Sequence, residues 1–159
     1  MTATPAIQDG YPENDGAHCY GCGRLNEAGH QIKTRAAGEV TVTEFTPLPE
    51  HTAVPGIAYG GLVASIIDCH STGSAAIFAM QERGMTIGES ETLRFVTAHL
   101  EVDYLLPTPL KTFHLEGRLI EIKGRKVVVE TDLSVDGAVT AKGSAVLIEM
   151  PDDLVQSGS

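Results

Sequence analysis

The sequence predicts an α+β fold: a curved antiparallel β-sheet wrapped around one long central α-helix. Three observations carry this expectation. One apolar segment, opened by Gly60-Gly61 and closed at Gly84, repeats its hydrophobic residues at helical spacing. Four strand-like runs follow it, joined by short connections of the kind that link antiparallel neighbours. One further alternating run precedes it. A single buried helix against an antiparallel sheet is a recognised layer architecture, and it accounts for all three.

Taken in order, Glu39 to Thr46 alternates, with Val40, Val42 and Phe45 among polar neighbours, as a strand with one buried face should. Pro47, Pro49 and Pro55 then break the pattern. In the segment after Gly60-Gly61, Leu62, Val63, Ile66, Ile67, Ala75, Ile77, Phe78 and Met80 recur at helical spacing, and Arg83-Gly84 is a plausible C-terminal stop. That is roughly 22 residues, about twice the mean helix. It is apolar nearly all round, with Gly73, Ser74, Ala75 and Ala76 permitting close approach, so something must wrap it. The wrapping follows. Ala98, Leu100, Val102, Tyr104 and Leu106 alternate with Thr97, His99, Glu101, Asp103 and Leu105 before Pro107 and Pro109 interrupt. Thr112 to Ile122 and Lys126 to Val135 read as strands around a Lys123-Gly124-Arg125 turn, and Asp136-Gly137 leads into Ala138 to Met150. The expected organisation is a loose N-terminal tail over residues 1–18, one domain over 19–150 and a loose C-terminal tail over 151–159.

At 159 residues and 42% apolar composition the chain suits one globular domain; folding at this length buries on the order of 70% of the extended surface. Eleven Lys and Arg against 21 Asp and Glu give a net charge of −10, which argues against nucleic acid or an anionic membrane as partner. Met1 to Gly10 has neither a basic stretch nor an apolar core, so no secretory signal is expected. The apolar segment contains Asp68 and His70, which suits a buried helix better than a bilayer span. An odd count of three cysteines, Cys19, Cys22 and Cys69, fits reduced thiols in the cytoplasm. Cys19-Tyr20-Gly21-Cys22 has metal-like spacing with His30 downstream, but no second such pair exists and the spacing to His30 is irregular. The expectation is a Gly-rich turn packing small thiols, with no metal and no cofactor.

Two features near the helix start carry chemistry. Gly60-Gly61 at a helix N-terminus leaves backbone amides free, with the positive end of the dipole behind them, a geometry that binds an anion or polarises a carbonyl; a tight loop-to-helix turn needs the same glycines. Asp68 lies two turns inside an otherwise apolar helix, where a carboxylate is costly unless hydrogen-bonded or put to work. Ser65, Ser71 and Thr72 are its neighbours one turn away. Eight residues separate Gly60 from Asp68, about 12 Å along a helix. One substrate carbonyl at the Gly60 amide is therefore out of reach of Asp68 on the same helix. Two antiparallel copies across a twofold axis remove the conflict, so the spacing points to a composite site in a symmetric dimer.

Ala58-Tyr59-Gly60-Gly61-Leu62-Val63-Ala64-Ser65-Ile66-Ile67-Asp68, with the order of elements, resembles the hot dog fold thioesterases of the PaaI-like group, whose pattern is His-Gly-Gly, an apolar run, then Asp. The resemblance runs from about Cys19 to Ile148 and includes Cys19-Tyr20-Gly21-Cys22-Gly23 through Asn26, Leu105-Leu106-Pro107 and Gly124-Arg125-Lys126. It implies an acyl-CoA thioesterase, a homodimer or dimer of dimers (homotetramer). In it Gly60 donates the amide that polarises the thioester carbonyl, Asp68 of the opposite subunit is nucleophile or general base, and Thr97 orients the water or carboxylate. Tyr59 and Gly61 flank the substrate. Two positions depart from the family: Tyr59 replaces the usual His, and Ala53 stands where many members carry Asn or His. Tyr59, or more weakly His51, stands as the replacement. Arg125 and Lys126, with Lys123 beside them, form the densest basic cluster and the candidate contact for CoA phosphates; a solvated hairpin tip explains them as well. Arg94 and Arg118 read as lone charges, and His70 and His99 as histidines able to titrate near neutrality.

Three functions follow. The first is hydrolysis of an acyl- or aryl-CoA to acid and CoA. The second is binding of an acyl ligand without hydrolysis, motivated by Ala53 and Tyr59. The third, hydration of an enoyl-CoA on the same fold, pairs an Asp with a His five residues on, where this chain has Gly73.

Overall fold

In a computed structural model of the protein, which describes residues 4–13 and 16–151, six strands form one antiparallel sheet around a single long helix. The elements are β1 (Thr34–Ala37), β2 (Val40–Phe45), a small hairpin of β3 (Thr52–Val54) and β4 (Ile57–Ala58), α1 (Gly60–Glu82), and then β5 (Phe95–Tyr104), β6 (Phe113–Lys123), β7 (Lys126–Val135) and β8 (Ala138–Glu149). The sheet order is β1-β2-β6-β7-β8-β5, which leaves β5 at one edge. This is the hot dog arrangement. The alternating run before the helix and the four after it are all strands; β1, β3 and β4 are short and carry little pattern.

The inner face of the sheet is built from every second residue. On β7, Val127, Val129, Thr131, Leu133 and Val135 are buried, as period-2 geometry requires. Small residues on β8 let the helix come close: Ile67 packs where a side chain at Gly143 would have to stand, 2.4 Å from its Cγ2. A bulge on β5 between Thr97 and His99 shifts the inward phase from Phe95 and Thr97 to Leu100 and Val102. The uninterrupted alternation expected from Ala98 to Leu106 is therefore corrected: Ala98 and Leu106 are exposed, and Thr97 turns toward the helix.

Helix α1 is buried on nearly every side from Leu62 to Met80. It is long and apolar enough to cross a bilayer, yet 78% of that window lies inside the protein. It ends as its sequence predicts. Gly84 takes the left-handed conformation at φ +68, its amide bonds to the Gln81 carbonyl, and the Met85 amide bonds to the Met80 carbonyl.

The polar residues of the helix are hydrogen-bonded across the core. His70 Nδ1 meets the Thr43 hydroxyl at 2.7 Å, and that hydroxyl meets Thr34 at 2.9 Å. Gln8 caps the row through the Thr34 amide (2.8 Å) and hydroxyl (3.1 Å). Ser74 adds Thr41 at 2.6 Å on the other side of the ring. Among the described residues no buried side-chain polar atom is without a partner.

Three expectations change here. The loose tail over residues 1–18 is corrected for the part described: Ile7–Gly10 is a turn of 3-10 helix, and Ile7, Gln8, Tyr11 and Ala17 are buried in the core. Residues 1–3, 14–15 and 152–159 lie outside the described residues. His70 does not titrate near neutrality, because it is wholly buried. Arg118 is not a lone charge, since its guanidinium spans both oxygens of Asp132 at 3.2 Å.

Burial pushes the His70 imidazole down to about 3, against about 6.5 in an unfolded chain. The unfolded state therefore takes up the proton first. Stability is insensitive to His70 above about pH 6.5 and falls as the pH drops toward the folded value, by up to about 1.4 kcal/mol per pH unit. Denaturant unfolding from about pH 8 to 4 should show this slope reduced in His70→Gln, with the cost of the substitution shrinking as the pH falls. A pH-independent difference between the two proteins would contradict it.

Candidate functional site

The start of α1 is held by its neighbours. The Ala58 amide bonds to the Thr108 carbonyl (2.9 Å) and the Tyr59 amide to the His51 carbonyl (3.1 Å). Tyr59 is the N-cap, in an extended conformation, and its side chain caps nothing. Among the described residues neither the Gly60 nor the Gly61 amide donates a hydrogen bond, and both glycines are exposed. The first turn thus presents bare donors at the positive end of a 23-residue helix. The Tyr104 hydroxyl donates to the Gly60 carbonyl at 2.7 Å, fixing the turn from the β5 side. Gly61 lies under the exposed Tyr59 ring: a Cβ there would stand 2.6 Å from it and push the ring aside. A cleft of about 270 Å³ opens here, lined by Ile57, Gly60, Val63, Tyr104, Leu106 and Thr108.

Two turns further, Asp68 is half-buried. The Thr97 hydroxyl donates to its Oδ1 at 2.5 Å, the one side-chain hydrogen bond to Asp68 among the described residues. The bulge that follows Thr97 leaves this hydroxyl inward and the next residues outward. The carboxylate is thus oriented from one side. The helix from Gly60 to Asp68 is unbroken, so the separation of about 12 Å stands.

The remaining candidates scatter. Ala53 is exposed on β3. His51 is more than a surface-loop residue: its Nδ1 accepts from the Leu48 amide at 2.9 Å, and its ring lies 5.2 Å from that of His30. Arg125 donates Nε and Nη2 to the Glu149 carbonyl (3.0 and 2.7 Å), and Lys126 pairs with Glu121 at 2.8 Å. Glu149 in turn pairs with Arg83, just past the end of α1. The basic hairpin therefore sits at the opposite end of the helix from Gly60, roughly 33 Å away along its axis. Arg94 is not a lone charge either; its guanidinium lies 4.0 Å above the Tyr11 ring. A larger concavity of about 400 Å³, lined by Lys33, Arg35, Glu44, His114, Glu116 and Asp132 among others, faces away from these groups on the outer side of the sheet.

One grouping was not foreseen. Cys69, on the helix turn beside Asp68, converges with Cys19 and Cys22, and the three sulfurs lie within 4.8 Å of one another. Hydrogen bonds from Cys22 and Cys69 pull the Cys19 thiol well below the usual range; the bond with Cys19, together with burial, pushes Cys22 up to about 12, and the bonds with Cys19 and Cys22, together with burial, push Cys69 upward. His30 packs against Tyr20 and Phe45 instead. Only the fold brings a residue fifty positions away to the Cys-x-x-Cys turn.

Residues 55–141 match the thioesterase superfamily. A thioesterase superfamily protein from Shewanella loihica PV-4 is 43% identical, with 91% of this chain and 99% of that chain covered at a TM-score of 0.68. A phenylacetic acid degradation-related protein from Ralstonia eutropha JMP134 is 17% identical over 75% of this chain and 85% of its own, TM-score 0.59. A Streptococcus mutans UA159 protein bound to acetyl-CoA is 16% identical over 75% and 88%, TM-score 0.58. A search of curated proteins finds no match.

The Thr97–Asp68 hydrogen bond should be measurable apart from any activity. Thr97→Val and Asp68→Asn in a double-mutant cycle, followed by denaturant unfolding, are expected to return a coupling on the order of 1 kcal/mol. Strict additivity would mean that the hydroxyl does not hold the carboxylate.

Proposed function

Because the chain belongs to the thioesterase superfamily, we propose that it hydrolyses an acyl- or aryl-CoA thioester to the free acid and CoA. The observation that carries this reading is the exposed, unbonded Gly60 amide at the head of a long helix. A thioester carbonyl placed against it gains a hydrogen bond and the helix dipole, and both strengthen as the oxygen becomes an oxyanion. Asp68 from the opposite subunit of a homodimer takes a proton from water, or attacks the carbonyl carbon and is released by water. Thr97 keeps the carboxylate in one orientation. Tyr59 and Gly61 border the carbonyl site. The acetyl-CoA held by a protein of the same fold supports the ligand class.

The twofold arrangement rests on the 12 Å spacing and on β5, an edge strand that carries Thr97 and exposes Val96. Such an edge is a ready template for pairing with another chain, as a dimer or a dimer of dimers. Three free thiols suit a reducing, cytoplasmic setting. Arg125 and Lys126 lie too far from their own Gly60 to serve it, so any phosphate contact they make belongs to a neighbouring subunit's site. The second reading, an acyl-ligand binder without turnover, draws on Ala53 and on a Tyr59 ring packed over Gly61. Acyl-CoA bound tightly, with no thiol released, selects it.

Asp68→Asn should lower thiol release from acyl-CoA by about 10²–10⁴-fold. Gly60→Pro removes one amide at a position where the preceding Tyr59 is already extended and proline is tolerated, and should cost about 10²–10³-fold with the fold intact. Co-expressed Asp68→Asn and Gly60→Pro chains should regain activity, because a mixed dimer rebuilds one whole site. Absence of rescue in a verified mixed dimer would place both groups of a site on one chain.

Replacing Arg125 and Lys126 by Ala should raise KM for acyl-CoA and leave KM for the corresponding acyl-pantetheine, which lacks the nucleotide phosphates, unchanged. An equal effect on both substrates would remove the phosphate role.

A further inference from the structure

We infer that Cys19, Cys22 and Cys69 form a three-thiolate site for one zinc-like d10 metal ion, which fastens the N-terminal turn to the helix turn carrying Asp68. The proposal concerns a site separate from thioester chemistry and does not depend on it. Two thiolates about 2.3 Å from one tetrahedral ion stand about 3.8 Å apart. Cys19 and Cys69 sulfurs are 3.8 Å apart, and all three fall within 4.8 Å. A disulfide requires about 2.05 Å and would leave one thiol over; all three cysteines are free.

The loop is shaped around this convergence. A Cβ on Gly21 would lie 2.2 Å from the Cys69 sulfur, so any other residue would displace it. The Gly23 amide bonds to the Cys19 carbonyl at 2.7 Å, closing the turn, and the Ile32 amide to the Gly21 carbonyl at 3.2 Å. The half-buried Arg94, over the Tyr11 ring, places a positive charge near Cys22. Binding Zn²⁺ releases the remaining thiol protons to solvent and leaves the cluster at one net negative charge, which that guanidinium offsets. Among the described residues no fourth Cys, His, Asp or Glu atom joins the group, so a water completes the tetrahedron. Thiolate donors select zinc-like or copper(I) ions over magnesium or calcium.

The test is a titration of the full-length, thiol-reduced protein with Co²⁺ and then Zn²⁺, with metal analysis of protein purified without chelator. About one ion per chain is expected, with a thiolate-to-cobalt charge-transfer band that Zn²⁺ abolishes. Cys19→Ser, Cys22→Ser and Cys69→Ser should each weaken binding about tenfold or more, while His30→Asn should leave it unchanged. If Cys69→Ser fails to fold, the wild-type band decides alone. The proposal is overturned by no charge-transfer band in protein with three titratable thiols. Stoichiometry that survives the cysteine changes overturns it too, as does a disulfide between any two of these cysteines in protein alkylated at lysis.

Discussion

The burial of α1 against the concave face of the sheet is the interaction from which the other features follow. Twenty-three residues that are apolar nearly all round cannot rest on a flat layer. The sheet must curl, and the strands must offer small residues where helix and sheet approach, as Gly143 does for Ile67 and Gly117 for His70 and Ser74. Once enclosed, the helix cannot keep polar side chains unless they are bonded. His70, Ser71 and Ser74 are therefore joined to threonines on the strands. That row of hydroxyls fixes the rotation of the helix, because a turn in either direction would strand several donors in a dry core.

A fixed rotation determines what each helix residue meets. Asp68 emerges beside the edge strand and is met by Thr97; Cys69 stays buried and faces the Cys19–Cys22 turn; Gly60 and Gly61 project from the end, with nothing bonded to their amides among the described residues. The carboxylate and the bare amides that the proposed mechanism pairs lie on the same rigid rod, about 12 Å apart. Rigidity is what makes the second subunit necessary in the proposed mechanism. No side-chain motion closes that gap, whereas a symmetric partner supplies the missing half twice over.

Much of this was legible in the residues. Helical periodicity located α1 to within two residues, Gly84 marked its stop, and Asp136-Gly137 marked its hairpin. The carboxylate and the double glycine stood out because each violates a local rule: a charge inside an apolar helix, and two poor helix formers at its first turn. Other features were illegible for identifiable reasons. The β5 bulge moves the inward phase by one residue with no sign in the alternation. The turn around Ile7 is too short to show a period. Arg125 and Lys126 are adjacent to nothing in sequence that reveals their carbonyl and carboxylate partners.

The sequence by itself determined the element order, the enclosed helix and the acidic composition, and set Gly60 and Asp68 apart, because these depend on local periodicity and on residue chemistry; Thr97 was marked only by the resemblance to the family. Only the tertiary structure decided the distances on which the proposals rest: Thr97 on Asp68, Cys69 on the Cys-x-x-Cys turn, and the basic hairpin at the far end of α1 from the glycines. Such separations depend on strand order and register, which place residues fifty or more positions apart side by side and have no counterpart in the spacing of the chain.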